Sequence, residues 1–583
     1  MIKALLGSLQ EYKRGSILTI LLSILEAAFE ILIPLRMADL IDQGIDLGNM
    51  AAVWKYGIAI LIFAALQLLT GVLSAHIAAK TSVGFSANLR QDMYDNVQTF
   101  SFSNIDKFST ASIVTRLTTD VTNIQNAYQM LIRMAVRGPV MLVFSMTVSF
   151  RINTSIALIF LAVIPIMAVL LLLIIRKVGP FFSRVFHTYD ALNNVVQENV
   201  RGIRVVKSFH QEDHEIKKFK GISQSIYEDF AAGERLLAFN SPIMQFFMYA
   251  CMILISWIGA KAIVASGNNA ALGMTTGDLT ALFSYATQIL MALMMLSMVF
   301  TMITISLASA RRIAEVLEEK TDIDDPADPV VAVRDGSIHF EHVDFAYAAK
   351  ADKKVLSDID LSIASGQTVG IIGSTGSSKS SLVQLIPRLY DVSSGRVLLG
   401  GVDVRTYDLD VLRHAVAMVL QKNELFSGTI KENLRWGNEN ATDAEIEEAC
   451  RLACADEFIQ SFPDKYDTYI EQGGSNVSGG QKQRLCIARA LLKKPKVLIL
   501  DDSTSAVDTK TDASIQKSLA EFIPDTTKII IAQRISSIQH ADRIVVMDDG
   551  KITACGTHDE LLKTCGIYRE VYESQKKGDS DYE

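Results

Sequence analysis

Six apolar runs, each long enough to cross a bilayer, dominate the first half of this 583-residue chain and leave few folds open to it. The first is Ser16 to Arg36, and the others fall near Tyr56 to Ala79, Met130 to Phe150, Thr154 to Ile175, Ser241 to Ala265 and Thr276 to Ile303. About 20 residues rising ~1.5 Å each match a hydrocarbon core of roughly 30 Å, so each run is expected to be a spanning helix. The opening run is too long for a signal-peptide core. The C-terminal part instead alternates charged and apolar residues as a soluble domain does. A chain of this length outgrows a single core, so at least two domains are expected.

The connections set an orientation. Met37 to Trp54 carries no Lys or Arg, Arg151 to Asn153 is very short, and Ser266 to Thr275 is uncharged. Lys80 to Gln129 and Arg176 to Asn240 are long and charged, which places them, with both termini, on the cytoplasmic side. Both inner segments are poor in Gly and have no Pro outside Pro180, so they read as helices continuing beyond the bilayer, with legs of roughly 35 to 50 Å. Their tips, Ser109 to Asp120 and Val205 to Glu215, mix apolar and charged residues. They are either contacts that transmit motion or plain solvated turns.

A net charge of −8 offers no general basic surface and argues against nucleic-acid binding. The six cysteines, Cys251, Cys450, Cys454, Cys486, Cys555 and Cys565, form no CxxC pair and suit a reducing cytosol. Glu26 and Glu30 lie one helical turn apart inside the first run, where a carboxylate needs a proton, a partner or water. Two readings stand: a water-filled path, or pairing with a neighbouring helix. Met291, Met294, Met295 and Met298 give the sixth run a polarizable surface suited to apolar cargo, with lipid-facing or core packing as the alternative.

Beyond a linker expected at 311–335, with Pro326 and Pro329, an apolar strand leads into Gly373-Ser374-Thr375-Gly376-Ser377-Ser378-Lys379-Ser380-Ser381 and a helical stretch. This is a P-loop, in which backbone N–H groups cradle phosphates, Lys379 supplies charge and Ser380 reaches Mg²⁺. Ser378 stands where the motif expects its second glycine. If that position needs a positive φ, the serine costs of order 1 kcal/mol. Further on, Val497 to Leu500 forms an apolar strand ending in Asp501 and Asp502, where Asp501 can order the Mg²⁺ shell.

Tyr347, the P-loop, Gln421, Ser478-Gly479-Gly480-Gln481, Asp501, Ser505 to Asp508 and Gln533 together resemble the ordered motif set of ATP-binding-cassette proteins. The resemblance spans nearly the whole chain. It implies an α-helical six-span membrane domain with long cytoplasmic helix extensions (1–310), followed by an α/β P-loop ATP-binding-cassette domain (336–574); residues 575–583 are expected to be a disordered tail. It further implies stacking of adenine on Tyr347, ATP and Mg²⁺ as cofactors with Ser380, Gln421 and Asp501 around the metal, and a signature at Ser478 to Gln481 that faces ATP on a second subunit. Asp508 joins the catalytic set by the same resemblance. The implied protein is an exporter half-transporter in a bacterial plasma membrane, its cassette cytoplasmic, moving amphipathic or apolar small molecules, drugs or lipids.

Two positions depart from the family. Asp502 stands where the resemblance expects the catalytic Glu, and Gln533 where it expects the switch His. Asp is one methylene shorter than Glu, and an amide cannot exchange a proton as imidazole does. With the signature intact, the asymmetry points to a heterodimer in which this chain's own site hydrolyses ATP slowly. A self-sufficient homodimer and an ATP-gated regulatory membrane protein remain the alternatives.

Overall fold

Apolar side chains surround most of the first half, so its helices form where the six runs require them. The computed structural model of the protein describes residues 1–269, 273–347, 353–502 and 507–580. These divide into two compact units, residues 1–98 with 109–319, and residues 99–108 with 320–583.

Among the described residues the first unit holds seven long helices: α1 (Lys13–Leu40), α2 (Met50–Gln98), α3 (Val121–Ile152), α4 (Thr154–Arg201), α5 (Glu212–Leu237), α6 (Asn240–Ser266) and α7 (Thr276–Glu318). Six stretches among them are long and apolar enough to cross a membrane, the fifth formed by α5 and α6 in succession. With 49 residues, α2 is about 70 Å long, more than twice the apolar thickness of a bilayer. Small residues let α1 and α2 approach closely: the hydroxyls of Ser23 and Ser74 lie 2.8 Å apart, and a methyl on Gly84 would fall 2.0 Å from the Tyr12 ring. The turn from α3 to α4 is short because the Asn153 side chain accepts from the amide of Ile156 and starts the new helix at once.

In the second unit, a four-stranded antiparallel sheet runs β2 (Leu356–Ile363), β1 (Ile338–Phe345), β4 (Ser394–Leu399), β5 (Val402–Asp403). A six-stranded sheet carries the site. Its order is β10 (Lys551–Gly556), β9 (Arg543–Asp548), β3 (Thr368–Gly373), β8 (Thr527–Ile531), β7 (Val497–Asp501), β6 (Val416–Val419), parallel except for β10. β7 and β8 are buried at every residue, which explains why Val497 to Leu500 and Ile529 to Ile531 read as unbroken apolar runs rather than alternating ones.

Three sequence expectations change. α7 continues through Glu318, because Ile313, Ala314 and Val316 are buried in the first unit, so 311–318 is helix rather than linker. Residues 320–335 belong to the second unit, where the Val330 amide donates to Thr406 O. The first inner hairpin breaks earlier than expected, at Thr99, where the reciprocal Ser101–Asn104 cap starts the short helix Phe102–Lys107. That segment belongs to the second unit: Asp106 accepts from the Tyr390 hydroxyl at 2.7 Å and Asn104 donates to Lys320 O. The expected tip, Ser109 to Asp120, stays in the first unit, where Arg312 Nε donates to Asp120 at 2.7 Å. Finally, a helix spans Gly566–Ser580 and takes in the first part of the expected tail, where the Gln575 side-chain amide is tied to the body of the domain. Residues 581–583 lie outside the described residues.

Candidate nucleotide site

β3 ends at Gly373, and the chain turns through Ser374 to Ser378 into the helix α8 (Lys379–Gln384). Gly373 has to be glycine, since a methyl there would meet Met547 O at 2.1 Å. Gly376 has φ +87 and Ser378 φ +68, so the serine occupies the left-handed conformation that the motif's glycine normally relieves. Ser377 is buried, while Ser374 and Thr375 face outward, the Ser374 hydroxyl donating to Asp548 at 3.3 Å. Lys379 folds back over the loop and donates to the carbonyls of Gly373 and Ser374, each at 2.9 Å. Burial lowers its affinity for the proton, against the pull of Asp501 and Asp502.

Behind the loop stands the end of β7. Asp501 is buried, and its carboxylate accepts from the Ser380 hydroxyl at 3.0 Å. Burial pushes its carboxyl up, which the Ser380 hydrogen bond and Lys379 oppose. A cation among these hard oxygen groups would restore the charged form, and that donor chemistry suits Mg²⁺. The next residue, Asp502, has φ +48 and donates its amide to Ile531 O. Its side chain accepts from Gln533 Nε2 at 2.8 Å and from Gln421 Nε2 at 3.3 Å. The two departures from the family pattern therefore meet: the amide at 533 is engaged with the carboxylate at 502.

Tyr347 is half exposed, with its hydroxyl 2.8 Å from that of Ser381 and its ring edge-on to Phe345 and Tyr390. Ser478 caps the 14-residue helix α9 (Gly479–Leu492): its hydroxyl accepts from Gln481 N, and the Gln481 side chain accepts from Ser478 N. Gly479 and Gly480 leave the first-turn amides uncovered. Asp508 caps the helix Thr509–Phe522, accepting from the Thr511 amide at 2.9 Å. Of the expected Ser505 to Asp508 stretch, Ser505 and Ala506 lie outside the described residues.

The membrane residues separate into two groups. Glu26 and Glu30 share one partner, Arg137 of α3, at 2.6 and 2.5 Å. On α7, Met291, Met294 and Met298 are exposed and Met295 is half-buried, the exposed three lying on roughly the opposite face from Ala292 and Leu296, which pack on Gly138. Sequence reasoning missed Arg137, although a charge well inside an apolar run, shared there only with Arg133, was the available signal. It also missed Gln575, which donates to Gln533 O at 2.8 Å and accepts from Ile535 N at 2.9 Å, bracketing the switch position. No local pattern marks it.

A membrane unit joined to a P-loop unit with a signature helix defines a nucleotide-driven membrane transporter. Residues 16–294 match the ABC transporter transmembrane region, and residues 356–505 match the ABC transporter family. The chain is 37% identical over 571 residues to the uncharacterized ABC transporter ATP-binding protein YfiB of Bacillus subtilis, covering 98% of both chains. It is 33% identical over 531 residues to a fatty acid ABC transporter ATP-binding/permease protein of Mycobacterium bovis, covering 91% of this chain and 82% of that protein. Its fold resembles that of a bacterial Atm1-family ABC exporter solved with ATP bound, at 24% identity and TM-score 0.83, covering 97% and 99% of the two chains. The chain belongs to the ABC transporter family.

Proposed function

We propose that this chain is one subunit of a heterodimeric ATP-driven exporter of amphipathic or apolar small molecules, drugs or lipids. It binds ATP and Mg²⁺ at its own P-loop, hydrolyses that ATP slowly, and lends Ser478 to Gln481 to the hydrolytic site of a partner half-transporter. Tyr347 stacks on adenine, and Ser380, Gln421 and Asp501 surround the metal. The assembly sits in a bacterial plasma membrane with its cassettes in the cytoplasm. The named fatty-acid relative and the exposed Met stripe support an apolar-tailed cargo.

The observation that carries the reading is the 2.8 Å hydrogen bond from Gln533 to Asp502. The carboxylate best placed to receive a proton from attacking water is short by one methylene and engaged by a group that cannot pass the proton on. Loss of well-placed general-base assistance lowers turnover by about 10² to 10⁴. The test is steady-state ATP hydrolysis by the chain alone in lipid bilayers, beside a variant carrying both Asp502→Glu and Gln533→His. The native chain should bind ATP with negligible turnover, and the double variant should gain at least about 10²-fold. Brisk turnover by the native chain would instead establish a self-sufficient homodimer.

A further inference from the structure

The ion cluster on α1 and α3 is incomplete as the protein alone builds it. Glu26 lies about midway along the first span, 6% exposed, with Oε1 taken by Arg137 Nη1. Its other oxygen, Oε2, is fully buried and has no hydrogen-bond donor among the described residues. The pocket is shaped for this carboxylate, because a methyl on Gly71 of α2 would stand 3.0 Å from Oε1 and 3.2 Å from Cδ.

An ionised carboxylate oxygen buried without a donor is costly, and more so in hydrocarbon, where it faces neither solvent nor backbone N–H groups. Arg137 places Nη1 on Glu26 Oε1 and Nη2 on Glu30, and its Nε, also buried, finds no acceptor among the described residues, so no N–H of this guanidinium is bonded to Oε2. Two carboxylates and one guanidinium leave the cluster formally at −1. Arg133, one turn nearer the inner end of α3, makes no hydrogen bond or ion pair to either carboxylate among the described residues. What Oε2 lacks is thus a donor, and the net charge of the cluster favours a positively charged one. Glu30 and Arg137 are partly exposed, at 24% and 19%, and mark the side from which one could enter.

From this geometry we infer that Glu26 Oε2 receives the ammonium head of an amphipathic amine, the apolar body of which lies among the membrane helices. The inference rests on the exporter reading and narrows its cargo to cationic amphiphiles with an N–H donor. A carboxylate-headed amphiphile would meet the formal negative charge of the cluster and is disfavoured. The amino headgroup of a bilayer lipid carries the same chemistry, but it sits roughly 15 Å from the midplane of a ~30 Å hydrocarbon core, which favours the cargo.

The test is equilibrium binding without ATP, so that it stands apart from hydrolysis and transport. The full chain in nanodiscs of phosphatidylglycerol and phosphatidylcholine is titrated with dansylcadaverine and with its N-acetyl derivative, against empty nanodiscs. The amine should bind the chain about 10-fold more tightly than the neutral amide, as a buried charge-assisted hydrogen bond requires. Glu26→Gln, which keeps an acceptor for Arg137 but turns a donor toward the ligand, should abolish that difference. Equal binding of amine and amide by the native chain would overturn the proposal whether or not the variant folds, leaving the exporter reading intact. Loss of the amine preference on adding phosphatidylethanolamine would overturn it in favour of a lipid headgroup site, and tighter binding of a dansylated fatty acid than of the amine would also overturn it.

Discussion

Replacing Ser378 with glycine should stabilise the cassette without changing its affinity for nucleotide. Ser378 sits at φ 68 and ψ 24, and its side chain makes no capping hydrogen bond, so the substitution removes strain and no bond. A left-handed conformation costs an L-residue about 1 to 2 kcal/mol, and the greater freedom of glycine in the unfolded chain offsets about 0.5 to 1 kcal/mol of the gain. The net is a stabilisation of about 0.5 to 1 kcal/mol, equivalent to a ~2- to 5-fold smaller population of the open state. Hydrogen exchange by mass spectrometry on the full chain in bilayers reads this directly, because amides of the wholly buried β7 exchange only on large-scale opening. The loop already holds this conformation before nucleotide arrives, so the strain is common to both states and cancels in binding. The ATP dissociation constant should move by less than ~2-fold. Unchanged exchange in β7, or ATP binding tightened by more than ~10-fold, would refute the reasoning; the latter would mean that the strain is released on binding.

Arg137→Leu should lower the stability of the membrane unit by about 3 to 5 kcal/mol, since it strands Glu26 in the interior. Thermal unfolding in detergent checks this, and adding Glu26→Gln with Glu30→Gln should restore most of the loss; no recovery would count against the ion pair as the cause. Gln575→Leu removes both bonds that bracket Gln533, so exchange at the Ile535 amide should quicken about 5-fold, for a loss of ~1 kcal/mol, while β7 stays unaffected. The Asp344 carboxyl is held down to about 2, first by the Lys354 ammonium and then by the Asp358 amide and the Ser394 hydroxyl. A depressed carboxyl contributes stability above its unfolded value near ~3.9 and loses it as pH falls through about 2. Asp344→Asn should therefore flatten the acid decline of cassette stability between pH 4 and 2, and a variant curve parallel to the native one would sink this assignment.

What the sequence shows and what it hides divide along a physical line. The six spans were legible because crossing hydrocarbon demands a run of one length and one composition, and nothing distant alters that demand. The strand, turn and helix around Lys379 were legible for a similar reason: phosphate needs uncovered amides at a helix start, and only a narrow set of residues leaves them so. The break at Thr99 was not, since the mixed composition of Ser109 to Asp120 looks like a tip, whereas the helix is ended by a cap that depends on Ser101 meeting Asn104. Arg137 and Gln575 were hidden for a further reason, because each acts on a residue far away in the chain, at separations of 111 and 42 residues.

The pair at 502 and 533 lies between these cases. Each replacement was visible alone, as a shortened carboxylate and a lost imidazole, but their separation of 31 residues hid that the two side chains meet. With the amide donating into the carboxylate, the changes are one feature rather than two. Gln533→His alone leaves a carboxylate one methylene too short, and Asp502→Glu alone presents the longer side chain to an amide that still engages it and cannot carry its proton away. Residues in direct contact couple, so the gain from reverting both should exceed the sum of the gains from reverting each.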